Sequence, residues 1–277
     1  MKYKDIHIAV LRIEGTNCEQ EVYNSFAQLG AQPEFVHLKE LLGIDFPQKY
    51  LFDYQCLFLP GGFSSGDYVR AGAIFASRIK ARLMKDFKEY IHEGYPIIGV
   101  CNGFQVLIEL GVLPGVNGIS TTPQACLAIN DSNRFECRPT LLRYENNGHC
   151  QVTSRLTKGR KYMIPSAHME GKLLFPQHNA KHHVKILEEN NQIVFRYVDP
   201  QGNPSGYPWN PNGSIDNIAG ICNREGNVLG MMPHPERTFF SWQHPDWTRK
   251  DKKWMETETG DGRAVFESIL EYISKKY

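Results

Sequence analysis

The feature that most constrains the fold of this chain is the alternation in its first hundred residues. Short apolar runs rich in β-branched residues recur between stretches of helical periodicity. Residues 6–13, IHIAVLRI, are apolar almost throughout, as a strand covered on both faces must be. Asn17 then offers a helix N-cap, and Glu19 and Glu21 fall in the first turn. Val22, Phe26 and Leu29 recur at helical spacing before Gly30 supplies a stop. PEFVHL and QCLFLP (55–60) read as the second and third strands. A Gly-rich loop, GGFSSGDYVRAG, leads into a long helical stretch ending near Gly94, and PIIGV (96–100) is a fourth strand. Strands joined through helices give right-handed crossovers, hence a parallel sheet with helices on both faces.

From about residue 117 the texture changes. LLRY, CQVTS, KYMIP, VKILE and QIVFRYV read as short strands between Asn, Gly and Pro turns, added antiparallel to the sheet or beside it. NIAGICN and VLGMMPH follow, and a last helix covers about 262–276. No internal repeat or interdomain linker is visible, so residues 1–277 are expected to form a single domain. The polar stretch 247–259 reads as a solvated loop.

Composition bounds the rest. Hydrophobic residues are 41% and charged residues 22%, enough to build a sizeable core. A formal charge of +1 gives no global field to favour nucleic acid or an anionic membrane. The first apolar run is short and contains His7 and Arg12, unlike a secretory signal, and no run nears the roughly 18 apolar residues of a membrane span. A soluble, cytoplasmic protein is expected. Seven cysteines, with no CxxC pair, signal neither a metal site nor a dithiol motif. Reduced thiols are the simple reading, and one cysteine with a distant histidine partner is a candidate nucleophile.

That cysteine is Cys101, in GVCNGFQ at the end of the fourth strand. The form G-x-C-x-G after a buried strand is the cysteine version of a nucleophile elbow. A sharp strand-to-helix turn strains the nucleophile's backbone and demands small neighbours, here Gly99 and Gly103. The following helix, marked by Phe104, Leu107, Ile108 and the stop at Gly111, points its positive end at the sulfur and favours the thiolate. The amide of Asn102 can face a developing oxyanion. PGGFSSGD (60–67) follows another strand, and its glycines let backbone amides approach a ligand as a second oxyanion donor. It is no P-loop, because GxxxxGK[ST] is absent. In MMPHPER, His234 and Glu236 stand two apart with prolines stiffening the backbone. In an extended segment residues two apart share a side, which would let Glu236 orient His234 as the acid and base for a thiol.

GVCNGFQ, PGGFSSGD and MMPHPER, in this order, resemble the class I (triad) glutamine amidotransferases over nearly the whole chain. EGTNCEQE, PGGFSSGDYVRAGA, CNGFQ, NRFECR, NPNGSIDNIAGICN and GNVLGMMPHPER are most similar to the glutaminases of phosphoribosylformylglycinamidine synthase. The resemblance implies a flavodoxin-like open α/β sheet, mostly parallel, with helices on both faces and added antiparallel strands. It implies Cys101 as nucleophile, His234 as base and acid, and Glu236 as orienting carboxylate. Gly62, Phe63 and Asn102 become the backbone groups of the oxyanion hole. Gln105 matches the elbow glutamine that holds the substrate's amino-acid end. SAHMEGK resembles the family's AHGEG segment with Met169 in place of a glycine, and brings His168 and Glu170 to the substrate pocket. SWQHPDW resembles the end of the fused form of the synthase.

The resemblance also implies partners. Glutamine would be hydrolysed here, and the ammonia passed to a separate synthetase subunit of phosphoribosylformylglycinamidine synthase. That subunit would use ATP and magnesium to make formylglycinamidine ribonucleotide in purine biosynthesis, with a small bridging subunit between the two. No cofactor or metal is expected in this chain, and no nucleic acid or membrane as partner. Two rivals remain. A thiol hydrolase or chaperone of the DJ-1/PfpI type shares fold and elbow, but usually carries His directly after Cys, where this chain has Asn102. A catalytically inactive binding module would not need the full Cys-His-Glu set. His178, His182 and His183 read as loop histidines, Cys18 and Cys222 as small buried residues with Cys18 the better candidate for a role, and Trp209, Trp242, Trp247 and Trp254 as packing anchors.

Overall fold

The computed structural model describes residues 1–257 and 259–277. Thirteen strands are assigned among them. The first four are β1 (His7–Arg12), β2 (Gln32–His37), β3 (Cys56–Leu59) and β4 (Ile97–Val100). β5 (Cys126–Ile129), β6 (Glu136–Arg138), β7 (Leu141–Tyr144), β8 (Lys161–Met163), β9 (Ser166–His168) and β10 (Glu170–Leu174) occupy the middle of the chain. β11 (Ile193–Tyr197), β12 (Ile218–Cys222) and β13 (Val228–Met231) complete the set. The helices are α1 (Glu19–Gln28), α2 (Leu38–Leu41), α3 (Ala73–Arg82), α4 (Met84–His92), α5 (Asn102–Glu109), α6 (Ala180–Glu189), α7 (Lys252–Thr257) and α8 (Arg263–Lys276).

Nine strands form one sheet in the order β2-β1-β3-β4-β13-β12-β11-β7-β8. The half from β2 to β13 is parallel, and β12, β11, β7 and β8 extend it antiparallel. This is the open α/β sheet with antiparallel additions that the sequence implies. β3, β4 and β13 are buried at every residue, as strands between two helical layers must be. On one face Phe26 of α1 and Phe266 of α8 meet Phe58 of β3, with ring centroids 5.0–5.9 Å apart. β5 with β10, and β6 with β9, make two small antiparallel ribbons beside the main sheet. No helix among the described residues is long and apolar enough to cross a membrane.

Several local expectations are corrected. Cys18, not Asn17, is the N-cap of α1. The helical stretch before Gly94 is two helices, α3 and α4, separated at Leu83. VKILE lies inside α6, where Leu187 alone is buried: a helix with one face on the sheet reads like a strand over five residues. CQVTS forms a single 3₁₀ turn, Gln151–Thr153. The stretch 247–259 carries a 3₁₀ turn, Trp247–Arg249, and α7.

Candidate active site

Cys101 stands between the end of β4 and the start of α5, with φ 52° and ψ −108°. That backbone is costly for any residue with a Cβ, and its neighbours hold it in place. The Cys101 amide donates to Met231 O at 2.8 Å, and its carbonyl accepts from the Gln105 amide at 3.1 Å. The flanking glycines are required by close approach. A Cβ on Gly103 would fall 2.0 Å from Leu59 O, and one on Gly99 would fall 2.6 Å from Gly103 O. The thiol lines a cavity of about 230 Å³ together with Gly62, Phe63, Asp67, Gln105, Phe135, Ala167, His168, Met169 and Glu170.

His234 follows β13, and its amide is anchored to Pro165 O at 2.8 Å. Glu236 lies in the 3₁₀ turn Pro235–Thr238 rather than in extended chain. The turn, not the two-residue alternation of a strand, brings Glu236 Oε1 to 2.6 Å from His234 Nδ1. Both residues are 1% exposed. His234 Nε2 has no hydrogen-bond partner among the described residues, and in this conformation the Cys101 thiol donates to Ala167 O at 3.7 Å. Burial by itself lowers the His234 pKa, but the Glu236 charge and then Cys101 outweigh it and hold it well above the ordinary imidazole value. A retained imidazolium beside a sulfur is the charge state that favours a thiolate nucleophile.

His168 has the opposite character. Burial first, and then the His234 charge, push it down to about 3. The neutral ring accepts from Asn212 Nδ2 at 3.1 Å and forms part of the cavity wall. Gln105 Nε2 donates to Glu170 O at 2.6 Å, while its Oε1 accepts from Asn102 Nδ2 at 2.9 Å. The Glu170 carboxylate accepts from the Ala71 amide at 3.1 Å. Met169 is not among the residues with positive φ, so its side chain brings no backbone strain.

On the oxyanion side the expected groups divide. The Phe63 amide donates to Gly15 O at 3.0 Å and is occupied in this conformation. Gly62, with φ 149°, and Asn102, at the first turn of α5, have no such acceptor among the described residues. The loop after Gly62 is strained: Ser65, Asp67 and Val69 all have positive φ. Sequence reasoning assigned no role to Asp67. Burial and then the Glu170 charge push its carboxyl up to about 6, and it faces the cavity with Cys101. A lone acid inside a Gly-rich loop was the available signal.

Elsewhere, the sulfur of Cys18 and donor atoms of His234 and Glu236 lie within 4.8 Å of one another, the one cluster among the described residues with a metal-ligand set. His178 and His182 are exposed, and His183 stacks on Phe175. Trp209, Trp242 and Trp247 are at least 37% exposed, too open to anchor a core, and the side chain of Trp254 lies outside the described residues.

The sequence matches the profile of the CobB/CobQ-like glutamine amidotransferase domain over residues 5–273. It is 50% identical to phosphoribosylformylglycinamidine synthase subunit PurQ of Archaeoglobus fulgidus over 281 aligned residues, covering 99% of this chain and all of that protein. The same subunit of Picrophilus torridus is 50% identical over 84% of this chain and 88% of its own length. Among solved structures, PurLQS from Thermotoga maritima superposes with a TM-score of 0.70 at 31% identity, covering 96% of this chain and 98% of that one.

Proposed function

We propose a function from one premise: this chain belongs to the CobB/CobQ-like glutamine amidotransferase family. It acts as the glutaminase subunit of phosphoribosylformylglycinamidine synthase, hydrolysing glutamine to glutamate and ammonia. The observation that carries the chemistry is the strained Cys101 beside a buried His234 whose Nδ1 is held 2.6 Å from Glu236.

The Cys101 thiolate attacks the γ-carboxamide carbon of glutamine. The amides of Gly62 and Asn102 receive the oxyanion, with Phe63 able to join them once it leaves Gly15. The His234 imidazolium gives its proton to departing ammonia, leaving a glutamyl thioester on Cys101. The neutral ring then takes a proton from water, which attacks the thioester, and glutamate leaves as the thiolate re-forms. Asp67 and Glu170 give the cavity its negative end, suited to the α-ammonium of an amino acid, while Gln105 and the neutral His168 shape the wall. One catalytic domain over residues 1–277 contains all of these groups.

Ammonia is used by an ATP- and magnesium-dependent synthetase subunit bound to this chain, with a small bridging subunit, and the assembly works in the cytoplasm. The name of the Thermotoga maritima assembly and the word subunit in the relatives' names support a multi-subunit synthase. The test is glutamate release by the purified chain, alone and with synthetase, ATP and acceptor. Glutaminase activity coupled to amidine formation is expected. Hydrolysis of unrelated thioesters or peptides with no glutaminase activity would refute the reading.

A further inference from the structure

One buried thiol beside the site has no part in this chemistry. Cys18, 1% exposed, precedes α1 in the EGTNCEQE loop. Its amide donates to Gly61 O at 3.2 Å, tying it to the loop after β3. Its sulfur accepts from Arg237 Nη2 at 3.2 Å. A Cβ on Gly61 would come 2.6 Å from His234 Cε1 and 3.1 Å from Cys18 Sγ, so ring and sulfur lie side by side over that glycine. Thus two segments distant in sequence, the loop before α1 and the turn after β13, meet at one edge of the imidazole.

The charges facing His234 explain why a sulfur there has consequences. Glu236 lies at Nδ1, and the Cys101 thiol and the neutral His168 ring interact with it from the cavity side. Arg237, half-buried, is the next residue after Glu236. A guanidinium loose beside the ring would oppose a second cation on it. The Cys18 sulfur takes an N–H of that guanidinium at 3.2 Å and lies beside the imidazole over Gly61. We infer that Cys18 is a positioning residue for His234, holding Arg237 on its sulfur and giving the ring an acceptor-lined edge beside Glu236. Cys18 is among the groups that raise the His234 pKa, after burial, which lowers it, and after Glu236 and Cys101.

The inference rests on the glutaminase reading, and its test separates the two. Cys18 does not line the glutamine cavity, so its loss should act on kcat and on the pH profile rather than on KM. Two variants divide acceptor from filler: Cys18→Ser keeps an acceptor and loses volume, whereas Cys18→Val keeps volume and loses the acceptor. Glutaminase kinetics of the assembled synthase are measured from acid to alkaline pH. Cys18→Val is expected to lower kcat about tenfold, leave KM within about twofold, and move the alkaline limb to lower pH, as weaker support for the imidazolium requires. Cys18→Ser is expected to keep the limb near its wild-type position. If Cys18→Val does not fold, Cys18→Ala carries the same expectation. An unmoved limb in the apolar variant, or an equal shift in both, would overturn the inference and reduce Cys18 to packing. Absence of glutaminase activity in the wild-type assembly would instead overturn the functional reading.

Discussion

Glu236→Gln is the perturbation whose effects can be worked furthest. The substitution keeps the shape and removes the charge that lies 2.6 Å from His234 Nδ1 in a fully buried setting. Leaving one member of a buried ion pair without its partner costs about 3–5 kcal/mol. That is a cost in stability; on the rate, neutralising the orienting carboxylate of a catalytic triad costs about 10⁴ in kcat. The loss should be smaller than that of His234→Ala, because Gln can still accept from Nδ1–H. The alkaline limb must also move. The Glu236 charge is the largest effect raising the His234 pKa against burial, and without it the imidazolium that protonates ammonia is lost at lower pH. Stability follows the same linkage. A raised folded-state pKa stabilises fully below the ordinary imidazole value near 6.5, and that stability is lost as pH climbs through the folded value. The Tm difference between wild type and variant should therefore be largest near pH 6 and shrink at alkaline pH. Glutamate-release kinetics and melting curves across pH give both readouts. A loss under tenfold with an unmoved alkaline limb would refute the assigned pairing.

Asp67→Asn should raise KM for glutamine with a lesser effect on kcat, measured by steady-state kinetics. Because burial pushes its carboxyl up to about 6, the wild type loses stability as pH rises through that value, so the variant should gain Tm relative to wild type at pH 8 but not at pH 4. Phe266→Ala removes a ring packed against Phe26, Phe58 and Phe239, and should cost about 3–5 kcal/mol in denaturant unfolding. The chain alone should be a poor glutaminase that the synthetase activates. Its Phe63 amide is held by Gly15 O, and one missing oxyanion donor costs about 10²–10³ in rate. Full activity in isolation, unchanged by partner, would remove that gating.

Much of this fold is legible because its central strands are buried on both faces. The runs CLFL in QCLFLP and IIGV in PIIGV have no polar position to confuse their reading, and β3 and β4 lie where they fall. Legibility fails where one face is open. VKILE has the apolar content of a strand but the period of a helix longer than the window, and forms part of α6. The elbow is legible for a steric reason, since Gly99 and Gly103 have no room for a side chain. The same logic that pairs His234 with Glu236 by alternation reaches the right contact through the wrong geometry, a 3₁₀ turn. Asp67 and the link from Cys18 to Arg237 were not legible. Both depend on loops meeting across more than thirty residues of chain, and no local pattern records such a meeting.

The central claim is that Cys101 carries the glutamyl group. Rapid acid quench of the assembled synthase during turnover, followed by peptide mass mapping, tests it directly. The account predicts a glutamyl adduct on the peptide containing Cys101 in the wild type. In Cys101→Ser it predicts no adduct and no glutamine-dependent activity, with ammonia-dependent amidine formation intact. An adduct on another cysteine, or normal glutamine turnover in Cys101→Ser, would contradict it.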